Sequence, residues 1–185
     1  MKAADFLGMS RRQLIDALCA GHAIDPAALD DTEYKGTSLG LPGFVERLSW
    51  KTFKKTFHRD PESGYLRGWN VRLEQHGLDA PCVPMQNKRG EPLTFGHYRV
   101  VDPAGYRMPR PADGGLLIDY GLGENAGLSF TNRLRDPIVA VNEGDPTLLL
   151  GWSYVDLGFA RFGTPSFFTL ELDGPLSHRV APPRR

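Results

Sequence analysis

Five histidines, His22, His58, His76, His97 and His178, are the side chains whose charge can change near neutral pH. Four of them sit at punctuation points. His22 follows a helix-stopping glycine, His58 and His76 end segments, and His178 lies in a polar C-terminal run. These four are read as surface residues. His97 differs, because it lies inside Phe95-Gly96-His97-Tyr98-Arg99. If that run is a strand with Phe95 inward, period-two alternation carries His97 inward too. There the imidazole can act as acid or base, donate to a ligand, or ligate haem iron. The plainer alternative is a core histidine bonded to a neighbouring carbonyl.

Asp119 interrupts the apolar run Leu116-Leu117-Ile118-Asp119-Tyr120 and is the second acid–base candidate. It faces opposite Ile118 and Tyr120, so it is solvated if those two point into a core. With the faces reversed, the buried carboxylate needs a cation, and Arg72 or Arg133 is available. Asn132 shares a face with Leu128, Phe130 and Leu134. An amide in an apolar row must bond to backbone, water or a ligand. Arg107 and Arg110, in a Gly/Pro-rich loop, could receive an anionic head group, although a solvated loop is the commoner outcome.

Signatures of the common enzyme classes are missing. Gly121-x-Gly123-x3-Gly127 leads into Leu128-Ser129-Phe130-Thr131, read as a strand, whereas a phosphate cradle needs a helix N-terminus behind its glycines. No GxSxG elbow, Walker loop or HExxH helix occurs. The two cysteines, Cys19 and Cys82, form neither CxxC nor Cys/His spacing, which argues against zinc. They read as free thiols in a reducing cytoplasm.

The elements that must position these residues are marked by Asp-Pro steps at Asp25-Pro26, Asp60-Pro61, Asp102-Pro103, Asp136-Pro137 and Asp145-Pro146. Proline lacks an N–H and disfavours helix before it, so each pair is expected to end an element and turn the chain. Ser10 with Gln13 forms a capping box, and Leu14, Ile15 and Leu18 share a face before Gly21. That predicts a helix of about three turns. Asp25-Pro26 opens a further turn through Leu29. The segment from Pro42 to Phe57 is ambiguous, since Phe44, Val45 and Leu48 mark one face and Trp50, Phe53 and Phe57 another. Either a helix breaks near Ser49, or it is covered on both sides, or Trp50 to Phe57 is a strand.

From Gly64 onward, runs rich in aromatic and β-branched residues predict strands at 65–74, 93–101, 115–120, 128–134, 138–142, 148–157 and 166–172. With a short strand at Tyr34-Lys35-Gly36 the total is roughly eight, an ordinary number for a small closed barrel. The fold class expected is mainly β: an antiparallel up-and-down barrel with short N-terminal helices. One domain, 1–175, includes a helical segment over about 1–30, and 176–185 reads as a flexible basic tail.

With 185 residues the chain can bury one substantial core. Lys plus Arg equals 22 and Asp plus Glu equals 22, so no net field favours nucleic acid or an anionic membrane. No window approaches the ~18 apolar residues of a membrane span, and the N-terminus has no signal-peptide pattern. A cytoplasmic location is expected.

Several fragments together resemble bacterial lipocalin-like domains of unknown function with a GxWxG-type motif, a branch of the calycin-like barrels. They are Tyr34-Lys35-Gly36, Trp50-x2-Phe53-Lys54-x2-Phe57, Arg135-Asp136-Pro137-Ile138-Val139, Asp145-Pro146-Thr147-Leu148-Leu149-Leu150-Gly151 and Pro165-Ser166-Phe167-Phe168-Thr169-Leu170. The resemblance implies an antiparallel barrel with an apolar interior for a lipid-like ligand, and no settled activity. The expected lining is Trp50, Phe53, Trp69, His97, Tyr120, Asn132, Trp152 and Tyr154, binding a small hydrophobic or amphipathic molecule. The alternatives are a cofactor-free isomerase, cyclase or lyase using His97 or Asp119, haem binding through His97, and a solid structural barrel.

Overall fold

The computed structural model describes residues 1–39, 51–110, 112 and 114–183. The expected helix at the N-terminus is α1, Arg11–Cys19, and Ser10 and Gln13 cap it reciprocally. Asp25 accepts from the Ala27 N–H and opens a 3₁₀ turn over Pro26–Leu29. Eight strands follow: β1 (Thr32–Leu39), β2 (Thr52–Arg59), β3 (Leu66–Arg72), β4 (Thr94–Val101), β5 (Leu116–Asp119), β6 (Leu134–Asn142), β7 (Asp145–Asp156) and β8 (Arg161–Pro175). Each pairs antiparallel with the next, and β8 pairs back onto β1 from Thr32↔Pro175 to Leu39↔Phe167, closing an up-and-down barrel. No helix among the described residues is long and apolar enough to cross a membrane.

The membership of the sheet differs from the sequence reading at three places. Residues 52–59 are strand, not helix, with Phe53, Lys55 and Phe57 on one face; the rest of that helical candidate, and Trp50, lie outside the described residues. The run at 128–134 is not a strand, because Ser129 caps a 3₁₀ turn over Phe130–Arg133 and β6 begins only at Leu134. Asp136-Pro137 does not end an element either. It sits inside β6, where the β6–β7 ladder passes from Arg135↔Tyr154 to Ile138↔Gly151. The proline, which cannot donate, falls in the gap on the β7 side while it pairs with Leu117 on the β5 side.

The barrel has two apolar layers. Inside, Tyr34, Phe57, Leu66, Tyr98, Ile118, Ile138, Leu149 and Leu170 fill the end from which β1 starts, and Ile24 and Leu29 plug it. Outside, Phe6, Leu14 and Leu18 of the N-terminal segment share a second cluster with Leu117, Val139, Leu150, Trp152, Tyr154 and Phe167. A strand covered on both faces carries apolar residues at every position, which is why β7 reads Leu148-Leu149-Leu150 without alternation. The 176–183 stretch, read as a loose tail, runs back over the barrel. Leu176 N–H donates to the Asp31 carbonyl, Ser177 to Glu33, and Arg67 donates to the Val180 carbonyl.

Close packing inside depends on absent side chains. A Cβ at Gly151 would collide with the Phe168 ring, and one at Gly36 with the Phe53 ring. Gly151→Val should therefore overpack the interior and cost about 2–3 kcal/mol. The expected result is a lower urea midpoint with an unchanged slope; a midpoint equal to wild type would refute this packing.

Candidate functional site

At the end where β1 finishes and β2 begins, the interior is hollow. A cavity of about 230 Å³ is lined by Ser38, Phe53, Lys55, Asn70, Phe95, Tyr120, Asp136, Ser153, Ser166 and Phe168. Alternation on β2 sends Phe53, Lys55 and Phe57 inward, so a lysine enters the barrel between two aromatic rings. On β6 the same alternation aims Asp136 inward beside Ile138. Tyr120 arrives by a different route: Asp119 caps a 3₁₀ turn, Tyr120–Leu122, through the Gly121 N–H, and so turns Tyr120 into the lumen.

These groups form one connected network. Lys55 Nζ donates to Tyr120 Oη at 2.6 Å and to Asn70 Oδ1 at 3.0 Å. The Tyr120 hydroxyl donates in turn to Asp136 Oδ2 at 3.0 Å. The direct Lys55–Asp136 separation is longer, 3.4 Å, so the tyrosine is the shorter link between cation and anion. Asn70 is held by its own amide, which donates to the Phe95 and Gly96 carbonyls. Four ring centroids surround Nζ: Tyr98 at 4.9 Å, Tyr120 at 5.0 Å, Phe168 at 5.2 Å and Phe53 at 5.8 Å. Ring faces are negative, so they replace part of the lost hydration.

Replacement is incomplete. Burial holds the pKa of Lys55 below its ordinary value, with the charge of Asp136 opposing that shift. The same burial, with Asp136 adding to it, pushes the Tyr120 and Tyr98 hydroxyls well above the ordinary phenol range. Asp136 Oδ1 is buried and has no hydrogen-bond partner among the described residues. The site thus holds an amine, a phenol and a carboxylate in line, with one acceptor atom unused.

The expected site residues divide sharply in position. Phe53 and Tyr120 line the cavity. Trp152 and Tyr154 face the other way, into the outer cluster beneath the N-terminal segment. Trp69 is also on the outer surface, between the rings of His58 and His97 and under the Arg67 guanidinium. Asn132 lies in its 3₁₀ turn and donates to the Ala126 carbonyl. Asp119 is on the outer side of β5, ion-paired with Arg135 at 3.0 Å rather than Arg72 or Arg133, and accepts from the Tyr106 hydroxyl.

His97 faces outward for a traceable reason. Gly96 adopts φ +54°, a left-handed conformation, and the β3–β4 register shifts between Gly68 and Asn70. That irregularity puts Phe95 and Tyr98 both inside and breaks the alternation that would have carried His97 inward. His97 is therefore not placed to reach a molecule in the lumen. His97 instead lines a surface cleft of about 180 Å³ with Asp60, Tyr65, Arg67 and Arg99.

Lys55, Asn70, Phe95 and Asp136 were not among the candidates. The signal for Lys55 was present, since Phe53-x-Lys55-x-Phe57 is a charged residue within a period-two aromatic row. Asp136 was hidden by the proline that follows it.

Compared with protein-family models, curated proteins and solved structures, the chain matches none. The architecture itself defines a class: a closed eight-stranded up-and-down barrel, consistent with a calycin-like fold.

Two measurements probe these environments. Lys55→Met leaves Asp136 buried without its cation, a loss of about 3–5 kcal/mol, whereas Lys55→Met with Asp136→Leu should recover most of it. Denaturation of both variants and of Asp136→Leu gives the coupling; additive losses would show that the pair does not interact. His97 supplies a pH test. Burial first, and then Arg67, lower its pKa from 6.5 to about 4. The unfolded chain therefore binds more protons across that window, and stability falls as pH drops from 6.5 toward 4. His97→Asn should remove up to about 3 kcal/mol of that acid loss and change nothing above it. Parallel stability–pH curves for the two proteins would contradict the assignment.

Proposed function

We propose that the barrel takes up a small, largely apolar molecule bearing one uncharged hydrogen-bond acceptor such as a carbonyl. The observation that carries this reading is the composition of the hollow end. Aromatic walls from Phe53, Phe95 and Phe168 lead down to Lys55, the one buried amine lining the cavity among the described residues. An apolar hole of ~150 Å³ suffices for benzene. The cavity is somewhat larger, so it suits a substituted ring or a short branched chain.

Charge selects the head group. The cation already has a counter-charge in Asp136, and Asp136 Oδ1 is a bare acceptor beside it. A ligand carboxylate would meet that oxygen as a second anion in a poorly screened site. A carbonyl oxygen avoids the repulsion and can accept from Lys55 Nζ in place of its long 3.4 Å contact with Asp136. Burying a ring of ~150 Å² at ~25 cal/mol/Å² contributes roughly 4 kcal/mol, so the aromatic walls supply most of the affinity and the polar floor sets orientation. Loose lodging of long-chain lipid is the weaker reading, because the other half of the lumen is filled by side chains.

Ligand-observed NMR with acetophenone, benzyl alcohol and benzoate checks this. Acetophenone should bind best and benzoate worst, and Phe168→Ala should weaken acetophenone at least tenfold, ~1.4 kcal/mol. Trp69→Leu, outside the barrel, should leave binding unchanged. Failure of all three compounds to bind, or indifference to Phe168→Ala, would end the proposal.

A further inference from the structure

We propose that Lys55 is a covalent amine nucleophile that condenses with a small aldehyde or ketone lodged in the cavity to form a Schiff base. This rests on the uptake reading above and adds a reaction to it.

Geometry supplies every part the condensation needs. Nζ borders open space, within the same cavity lining as Tyr120, Asn70 and Asp136. Its proton has a route out: Nζ to Tyr120 Oη at 2.6 Å, then the Tyr120 hydroxyl to Asp136 Oδ2 at 3.0 Å. Two transfers along that line convert ammonium and carboxylate into amine and carboxylic acid with no change of net charge. In a water-poor, low-dielectric interior a neutral pair avoids the desolvation cost that an ion pair bears. The lowered pKa of the lysine agrees with this, because desolvation is its largest cause. Lysines desolvated in apolar pockets are a recurring source of Schiff-base nucleophiles.

The step balances as follows. The Nζ lone pair attacks the carbonyl carbon, a C–N bond forms, and the C=O π pair moves to oxygen. Tyr120 gives that oxygen a proton and regains one from the new ammonium, leaving a carbinolamine. The nitrogen lone pair then expels the hydroxyl, which leaves as water with the proton held on Asp136. The products are one water and a protonated imine whose counter-ion is the Asp136 carboxylate. Asp136 Oδ1, unpartnered in the free protein, is the atom left to take the departing water's hydrogen bond or the iminium proton. Such an iminium withdraws electrons from the adjacent carbon, which is the chemistry of isomerases and carbon–carbon lyases that work without a cofactor.

The other amines provide internal controls. Lys54, next in sequence, faces outward and is paired with Glu33 and Asp173. Lys2 and Lys88 are exposed.

The test uses the full chain, benzaldehyde as the carbonyl probe and sodium cyanoborohydride at pH 6.5–7, where exposed ammonium groups with pKa ~10.4 react slowly. Reduction delivers hydride to the iminium carbon and fixes an N-benzyl group, located by peptide mass mapping. Lys55 should be labelled at least tenfold faster than Lys88, and benzyl alcohol, which has no carbonyl, should slow that labelling by competition. Tyr120→Phe should slow Lys55 labelling at least tenfold at saturating benzaldehyde, where the rate no longer depends on uptake, which a merely structural role of Tyr120 would not produce. Because the labelling ratio is read within wild-type protein, the test survives a variant that fails to fold. Labelling of Lys55 no faster than Lys88, with benzyl alcohol bound, overturns the nucleophile and leaves uptake standing. No labelling and no binding of benzyl alcohol overturns both.

Discussion

Closure of the sheet is the constraint on which the rest of this molecule depends. Pairing of β8 with β1 over the whole of Thr32–Leu39 leaves every strand with two neighbours and no free edge. Once the ring is shut, each strand position is committed to the lumen or to the outside, and a shift of one residue would exchange the two. The lumen then has a fixed, small volume. At one end it is filled by Tyr34, Phe57, Tyr98 and aliphatic side chains. Toward the other end, among the described residues, comes a polar layer of Lys55, Asn70, Tyr120 and Asp136 and then the aromatic walls of the cavity.

That polar layer is affordable only because it is complete on one side. Lys55 has Tyr120 and Asn70 as acceptors, Asp136 as counter-charge and four ring faces around it. Each removes part of the desolvation cost, and no single one suffices. Tyr120 is the keystone, since it touches both charges and is itself placed by Asp119 capping from outside the barrel. Asp119 is in turn neutralised by Arg135. Inner and outer networks are therefore joined through one backbone turn, and the outer pair acts on the inner one by position alone.

Much of the fold was legible from residues. The capping box at Ser10 and Gln13 and the Asp25-Pro26 turn follow from local chemistry, and the structure shows both. Strand count came out right with different members, because a Ser129-capped turn and a true strand at 52–59 exchanged roles. The site was harder to read. Periodicity tells which residues share a face, and it does not tell which face is inward. Trp152 and Tyr154 were assigned to the lumen because a covered exterior looks as apolar as an interior. His97 was misplaced by a single left-handed glycine, a local event that alternation cannot anticipate. Asp136 was taken for punctuation, since Asp-Pro ends most elements and only a gap in a ladder lets it pass through one.

The division of the lumen into a packed half and a hollow half has a consequence for substitution. Tyr34, Phe57, Leu149 and Leu170 pack the filled half and do not line the cavity, whereas Tyr120 and Phe168 belong to both. Ser153 and Ser166 line the cavity from β7 and β8, where an added methylene would extend into its volume. Substitutions at those two serines can accordingly reshape the hollow half while the plugged base stays unchanged.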